Sequence, residues 1–167
     1  PDEPMAFIPC DHFIGNVSRF LDMLNAADKA IRQTGKMVDI AVQPNYPSTA
    51  LGYTKIGDLL ETIDGIGFYQ FLEHKEKPDY ELAKKYLDDG HYLWHANYYM
   101  WTPNKFLASC EKYASDLYEG LANLKEFIIK KEFQKMKEVY EQLPKISFDF
   151  AVTEKMDSSE ILIMRGD

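Results

Sequence analysis

The sequence has little cysteine and no long run of apolar residues. Its two cysteines, Cys10 and Cys110, lie far apart and form no CxxC pair, so the pattern is that of a reducing cytoplasm and not of a disulfide framework. We expect both to be small, buried apolar side chains. The first residues do not read as a signal peptide, and no stretch approaches the roughly 18 apolar residues that cross a bilayer. These absences predict a cytoplasmic protein without membrane contact.

Positive charge is also scarce. The chain has 19 Lys and Arg against 27 Asp and Glu, a net charge of -8, and its basic residues form no stripe. Proteins that bind nucleic acid neutralise phosphates with such a stripe, so nucleic acid is not an expected partner. An acidic protein that handles phosphorylated ligands would need a local Lys or a metal ion to offset its own field.

The 167 residues contain no internal repeat, low-complexity tract or Pro/Ser-rich linker, and 46% of them are apolar. One domain over residues 1–167 with a sizeable core is the economical interpretation. The chain begins at Pro1 without Met and ends just after an apolar run. We therefore expect an internal piece of a longer polypeptide.

Strands and helices alternate along the sequence, which favours a layered α/β fold. The predicted strands cover residues 5–10, 37–42, 53–56, 67–75, 92–101 and 160–164. The predicted helices cover residues 16–34 and 79–90, two or three segments within 103–143, and a short helix within 147–155 that Ser147 caps. Asn16 and Asp79 are the expected N-caps, with Gly35 and Gly90 at the carboxyl ends. The Lys/Glu-rich residues 125–141 indicate a solvated face.

Asp11 follows the first apolar run and is the first candidate for chemistry. Ligands of α/β sheets bind at the carboxyl ends of strands, where a carboxylate can hold Mg²⁺ together with phosphate oxygens. The alternative is that Asp11 caps a turn before the next helix. The neighbouring His12 is expected to be a structural hydrogen-bonding group.

The turn Glu76-Lys77-Pro78 is the second candidate. A carboxylate can accept hydrogen bonds from hydroxyls, and a Lys is a point charge suited to a phosphate. The alternative is a solvated turn at a strand end.

His95 and Asn97 are the third candidate, because they are polar residues within the aromatic run YLWHANYYMW. In a regular strand they would point to the same face. Buried polar side chains need partners, either in the protein or in a ligand.

Five segments together resemble the mannose-1-phosphate guanylyltransferases, which are sugar nucleotidyltransferases. The segments are FIPCDHFI, GYTKIG, KEKPDYELAKKYLDDGHYLWHANYYMW, EKYASDLYEGL and ISFDFAVTEK. The similarity runs from Phe7 to Asp167. It implies a Rossmann-like α/β fold of the nucleotide-diphospho-sugar transferase kind, with a mixed, mostly parallel sheet flanked by helices.

The resemblance also implies the chemistry: GTP and mannose 1-phosphate react to give GDP-mannose and pyrophosphate. Asp11 matches the family's Mg²⁺-binding Asp, Glu76 the residue that holds sugar hydroxyls, and Lys77 the residue that meets the sugar phosphate. Gly52 matches a Gly of the loop that lies against the sugar. His95 and Asn97 would then be substrate-binding residues, and a homo-oligomer is compatible with the resemblance.

Three places depart from the family pattern. The family strand reads Trp-Asn-Ser/Ala-Gly, whereas here Trp94 precedes His-Ala-Asn. The loop reads Thr-Ala-Leu-Gly-Tyr over residues 49–53 in place of Thr-Gly-Tyr-Gly-Tyr, and His74 replaces a Phe. An Asn side chain at residue 97 would partly fill space that a Gly leaves open.

Two family segments would lie outside the chain: the Gly-rich loop before Pro1 and a second metal-binding Asp beyond Asp167. We therefore expect the central part of a catalytic domain that is inactive by itself. Two alternatives are a catalytically silent regulatory paralogue and a pyrophosphorylase for another sugar 1-phosphate or nucleotide.

Overall fold

The computed structural model describes residues 1–166, and Asp167, the last residue of the predicted domain, lies outside them. The described chain forms two compact units. The sheet unit comprises residues 1–105 and the segment from Asp157 onward, and the helical unit comprises residues 106–156. The strands are β1 (Met5–Ala6), β2 (Met37–Val42), β3 (Tyr53–Ile63), β4 (Ile66–Lys75), β5 (Tyr92–Trp101) and β6 (Ile161–Arg165). The helices are α1 (Val17–Thr34), α2 (Tyr80–Asp89), α3 (Pro103–Tyr113), α4 (Ser115–Ile129), α5 (Phe133–Gln142) and α6 (Phe148–Ala151).

The six strands form one sheet in the order β1-β5-β2-β6-β4-β3, and β3 also pairs with β5. Among the described residues only the pairing of β2 with β6 is parallel; the others are antiparallel. The α/β class is confirmed, but the sheet is mixed and mostly antiparallel, so the expected parallel majority is wrong.

One cause of the antiparallel majority is a hairpin that the sequence interpretation missed. Strand β3 continues to Ile63, past its predicted end at residue 56, and turns directly into β4. Asp64 and Gly65 form the turn with φ angles of 52° and 78°. Asp-Gly with two positive φ angles suits the tight hairpin turn that follows the twist of an antiparallel pair.

Helix α1 supplies the apolar layer on the sheet. The Asn16 side chain accepts a hydrogen bond from the Arg19 N–H, and Gly35 adopts a left-handed φ of 67°, so both predicted ends are confirmed. The buried core that joins α1 to the sheet consists of Met23, Ala26, Ala27, Ala30, Ile31, Val38, Ile40, Ile66, Phe68, Tyr98, Met100, Leu162 and Met164. Burial of these side chains provides most of the stability that holds the sheet and its loops in place.

Helix α2 links two strands of the sheet and has the predicted caps. The Asp79 side chain accepts from the Leu82 N–H, and Gly90 closes the helix with a φ of 78°. Ala83 of α2, Tyr53 of β3 and Tyr92 of β5 form a second buried cluster. This cluster packs α2 against β3 and the start of β5.

The helical unit carries the Lys/Glu-rich segment. Lys130 pairs with Glu126 at 3.3 Å and Lys137 with Glu141 at 3.8 Å, all with largely exposed side chains. The predicted solvated face is confirmed, and such pairs contribute little to stability. Ser147 caps α6, as expected, by accepting from the Phe150 N–H.

Neither cysteine is bonded to another cysteine. Cys110 is buried, as predicted, whereas Cys10 is exposed, so the expectation of burial is wrong for Cys10. Cys10 lies in a turn after β1, which ends at Ala6, well before residue 10. Within residues 1–166, no helix is both long and apolar enough to cross a bilayer.

Candidate functional site

Gly52 lies where the loop before β3 passes close to the ends of β4 and β5. Its carbonyl oxygen accepts a hydrogen bond of 2.9 Å from the His95 N–H. A Cβ atom at this position would lie 2.4 Å from Oε2 of Glu76 and 2.7 Å from Cε1 of His74. Only Gly leaves room for that approach, because real Cβ atoms essentially never come so close to other atoms. The predicted residues Gly52, Glu76 and His95 therefore meet in one place.

Glu76 and Lys77 follow the end of β4. The Glu76 side chain is only 8% exposed and the Lys77 side chain is 56% exposed, with Nζ 3.2 Å from Oε1 of Glu76. Lys77 has a φ of 45°, which is uncommon for a residue with a Cβ. Glu76 is thus a buried carboxylate with a cation at its outer side, and the alternative of two solvated turn residues does not describe it.

His74 is the nearest polar neighbour that sequence reasoning did not assign to the site. Its side chain is fully buried, and Nδ1 lies 3.0 Å from the hydroxyl of Thr54 on the paired strand. Nε2 lies 3.4 Å from Oε2 of Glu76 and makes no hydrogen bond to the described residues. The signal for His74 was a polar residue two positions before Glu76, which places both side chains on one face of an extended strand.

His95 also has a protein partner. Its Nδ1 lies 2.8 Å from Oδ2 of Asp39, and both side chains are almost fully buried. An ionised carboxylate only accepts, so the imidazole donates this hydrogen bond. The His95 ring also packs edge-on against His74, with centroids 5.1 Å apart. Asp39 was missed, although an acidic residue inside the apolar strand MVDIAV signals a buried partner.

Asn97 is separated from His95 by an irregularity in the strand. The pairing with β2 shifts register there: Ile40 opposes Tyr98, while Ala41 opposes His95. Asn97 has a φ of 58° and is exposed, whereas His95 is buried. The prediction that regular alternation places both on one face is therefore wrong, because the bulge inserts extra residues. Asn, like Gly, tolerates this left-handed conformation better than most residues.

Asp11 lines a separate cavity of about 440 Å³ on the sheet unit. The predicted strand over residues 5–10 is regular only at Met5–Ala6, and Asp11 lies beyond it in an exposed turn. The cavity is lined by Asp11, His12, Phe13, Ile14, Gly15, Asn16, Arg19, Phe20, Met23, Ile40, Val42, Ala96, Tyr98 and Gly166. Ala96 follows His95 directly in β5, so this strand contributes to both the cavity and the cluster around Glu76.

His12 and Tyr98 connect the Asp11 turn to the sheet. Nδ1 of His12 lies 2.8 Å from the Tyr98 hydroxyl, which confirms the prediction that His12 is a structural hydrogen-bonding group. Burial raises the pKa of Tyr98, and the negative charge of Asp11 raises that pKa further. The phenol therefore stays neutral beside a charged carboxylate.

The donor set at Asp11 fits a magnesium ion in part. Mg²⁺ is usually held by one or two carboxylates, with waters and substrate phosphates completing its shell. Of the described residues that line the cavity, Asp11 is the only carboxylate, and the cavity is large enough to admit a phosphate group as well. The residues present therefore allow a site of that kind, with Asp11 as the protein ligand.

Comparisons with known proteins find named relatives of this chain. Mannose-1-phosphate guanylyltransferase 2 of Escherichia coli O157:H7 is 30% identical over 161 residues, which cover 93% of this chain and 33% of that protein. Mannose-1-phosphate guanylyltransferase of Klebsiella pneumoniae is 29% identical over 174 residues, covering 99% of this chain and 36% of that protein. The chain thus spans about a third of the length of these curated relatives.

Two solved structures share the fold. A protein described as mannose-1-phosphate geranyltransferase from Thermus thermophilus aligns with a TM-score of 0.79 at 25% identity, over 98% of this chain and 44% of that one. Mannose-6-phosphate isomerase from Helicobacter pylori aligns with a TM-score of 0.78 at 16% identity, over 99% and 62%, and at that identity the likeness shows the fold alone. The description of the matching family is nucleotidyl transferase, and the match covers residues 1–147. On that match, the chain belongs to the nucleotidyl transferase family.

Proposed function

We propose that the protein carrying this chain is a sugar nucleotidyltransferase that converts GTP and mannose 1-phosphate into GDP-mannose and pyrophosphate. The observation that carries the proposal is the buried Glu76 carboxylate with the exposed Lys77 ammonium 3.2 Å from it. A hydroxyl-rich ligand with a phosphate group suits this pair of groups. The names of the curated relatives support mannose as the sugar and guanine as the base.

The reaction needs charge neutralisation more than a covalent nucleophile. A phosphate oxygen of the sugar phosphate attacks the α-phosphorus of the nucleotide and forms a new P–O bond. The bond from that phosphorus to the bridging oxygen of the β-phosphate breaks, and pyrophosphate leaves with the electron pair. No atom is oxidised or reduced. Positioning and electrostatic stabilisation of the phosphates therefore supply most of the catalysis.

Each predicted sugar-binding residue has a role in the proposed site. The Glu76 carboxylate accepts hydrogen bonds from sugar hydroxyls, since an ionised carboxylate is an acceptor only. Lys77 supplies the local positive charge that an acidic protein needs beside a phosphate. Gly52 keeps the loop close to Glu76 without a side chain in the way. Asn97 is exposed at the bulge and can reach a ligand, whereas His95 would act from the wall behind it.

Asp11 is proposed to hold Mg²⁺. When bound, the ion would neutralise charge on the phosphates of the nucleotide and on the leaving pyrophosphate. Asp11 itself would orient the ion from the exposed turn after β1. Substitution Asp11→Asn removes one negative charge with little change of shape, so we expect loss of Mg²⁺-dependent turnover in a folded protein. Activity close to that of the unsubstituted protein would place the metal elsewhere.

The proposal is tested with the full-length protein that carries this chain. Pyrophosphate release is measured for GTP, ATP, UTP and CTP, each with mannose 1-phosphate and glucose 1-phosphate. The expected result is the highest kcat/KM with GTP and mannose 1-phosphate. A higher value with another pair reassigns the substrates. Binding of mannose 1-phosphate without turnover supports the silent regulatory paralogue and overturns the enzymatic proposal.

A further inference from the structure

The two oxygens of Glu76 lie in different surroundings. Oε1 faces Lys77, whose side chain reaches solvent, at 3.2 Å. Oε2 faces inward, 3.4 Å from Nε2 of His74, on the side where Gly52 has no room for a Cβ. The carboxylate is therefore confined from behind by His74 and Gly52 and faces Lys77 in front.

The contacts of His74 favour one of its two neutral tautomers. Nδ1 is 3.0 Å from the Thr54 hydroxyl, which can donate or accept. If Nδ1 carried the only ring proton, the lone pair of Nε2 would face the Glu76 carboxylate, and two acceptors would repel each other. The favoured arrangement is the opposite one: the Thr54 hydroxyl donates to Nδ1, and the ring proton is on Nε2, which lies 3.4 Å from Oε2 of Glu76. A buried donor without such a partner destabilises the folded state.

The His74 ring is in turn held by a second buried pair. The His95 ring packs edge-on against it, and Nδ1 of His95 donates to Asp39 at 2.8 Å. The side chains of Asp39, His74 and His95 are at most 3% exposed. The backbone also ties this group to the loop, because the His95 N–H donates to the Gly52 carbonyl at 2.9 Å. His74 therefore has little freedom to turn away from Glu76.

We propose that His74 is a positioning residue that holds Oε2 of Glu76 through its Nε2–H, supported by the Asp39–His95 pair, so that Oε1 faces the sugar hydroxyls and Lys77 faces the phosphate. The separation of 3.4 Å is longer than an ordinary hydrogen bond of about 2.7 to 3.2 Å. Hydrogen bonds in sites without substrate are often long and tighten when substrate binds. The inference rests on the proposed function, since that function assigns the sugar hydroxyls to Glu76 and the phosphate to Lys77.

The test uses the full-length protein with two substitutions of His74. Phe in His74→Phe fills the space but has no donor, and Gln in His74→Gln keeps an N–H near the position of Nε2. We expect His74→Phe to raise KM for mannose 1-phosphate about tenfold, with kcat and the KM for GTP within about twofold. His74→Gln should restore most of the loss. Phe71→Leu, a change in the buried core of the same strand, is the control and should leave this KM unchanged.

A second measurement does not depend on turnover or on the variants. Nitrogen-15 NMR of His74 in the unsubstituted protein should show a proton on Nε2 and none on Nδ1. Its Nε2–H resonance should move downfield when mannose 1-phosphate is added, because the bond to Glu76 shortens. A purely structural His74 would show no such change.

Different results would contradict the two proposals. The proposed function fails if the unsubstituted protein does not turn over mannose 1-phosphate. The role of His74 fails if His74→Phe keeps its KM in an active enzyme, or if the proton of His74 is found on Nδ1. If His74→Phe does not fold, or if the protein proves inactive, the position of the His74 proton and the response of the Nε2–H resonance to mannose 1-phosphate in the unsubstituted protein still decide the role of His74.

Discussion

Nδ1 of His95 donates a hydrogen bond of 2.8 Å to Oδ2 of Asp39, which lies 56 positions earlier in the chain. The bond joins β5 to β2 where their register shifts. Both side chains are almost fully buried, so each supplies the partner that the other needs away from water. The pair fixes the part of β5 that separates the Glu76 cluster, formed by Gly52, His74, Glu76, Lys77 and His95, from the cavity at Asp11.

Removal of the carboxylate should loosen this part of the sheet. In Asp39→Ala the His95 donor stays buried without its acceptor, and we expect a loss of about 3 kcal/mol in the free energy of local opening of β2 and β5. Hydrogen exchange of peptides from these two strands, followed by mass spectrometry, measures the loss. Asp88→Ala on the exposed face of α2 is the control. Equal protection in both variants would show that the pair does not stabilise the sheet.

A side chain at Gly52 should disturb sugar binding more than it disturbs folding. The added Cβ of Gly52→Ala meets Oε2 of Glu76 at 2.4 Å, so the carboxylate must move. We expect KM for mannose 1-phosphate to rise about tenfold, because the displaced acceptor no longer meets the sugar hydroxyls. Gly90→Ala is the comparison: it strains a φ of 78° but meets no atom within 4 Å. That variant should lose stability and keep its KM. The same change of KM in both variants would show that Gly52 has no specific role in sugar binding.

The titration of Tyr98 should report the charge of Asp11. Burial and Asp11 raise the pKa of Tyr98 above the ordinary 10.0, so Asp11→Asn should lower that pKa while leaving it above the ordinary value. Carbon-13 NMR of the tyrosine Cζ atoms measures it, with Tyr98→Phe to assign the signal. An unchanged Tyr98 pKa in Asp11→Asn would show that the two residues do not interact.

The same pKa has a consequence for stability at alkaline pH. The folded protein keeps the Tyr98 proton where the unfolded chain loses it, so the contribution to stability is complete below pH 10.0. It is lost as pH rises from there through the raised folded pKa. Chemical unfolding at several pH values should show this decline, and it should be smaller in Tyr98→Phe.

The cysteines should differ in reactivity. Cys10 is exposed, whereas Cys110 is buried and its pKa is raised by that burial. A thiol-reactive reagent at a pH of about 8 should label Cys10 within minutes in the native protein and label Cys110 only after denaturation. Peptide mapping identifies the labelled residue. Rapid native labelling of Cys110 would contradict its placement in the interior.

Much of the fold follows from local signals. The caps of α1 and α2 were predicted, because Asn16, Asp79 and the two glycines after the helices are residue types that favour cap positions. The strands around residues 37–42 and 92–101 were predicted from their apolar runs. Strand direction was not predictable in the same way. It depends on which strands meet across the sheet, and only the Asp64-Gly65 turn offered a local sign of a hairpin.

The candidate site was predicted in part. From the sequence, one substrate site was expected to contain Gly52, Glu76, Lys77 and His95, and these residues lie together in the structure. No role was assigned to His74 or Asp39. Both are polar residues in strands, and their importance lies in partners that are distant in sequence, such as Thr54 and His95. The bulge at Asn97 was hidden for a similar reason, since it arises from the pairing of β5 with β2.

The most direct test of the account is the kinetics of Lys77→Ala in the full-length protein, compared with Lys84→Ala, an exposed Lys on α2. Lys77 is itself partly exposed, so solvent screens its contact with a phosphate. We predict that Lys77→Ala lowers kcat/KM for mannose 1-phosphate about thirtyfold, which corresponds to about 2 kcal/mol of lost transition-state stabilisation. Lys84→Ala should leave kcat/KM unchanged. Unchanged kcat/KM in Lys77→Ala would remove the Glu76–Lys77 pair from the sugar-phosphate site and contradict the account.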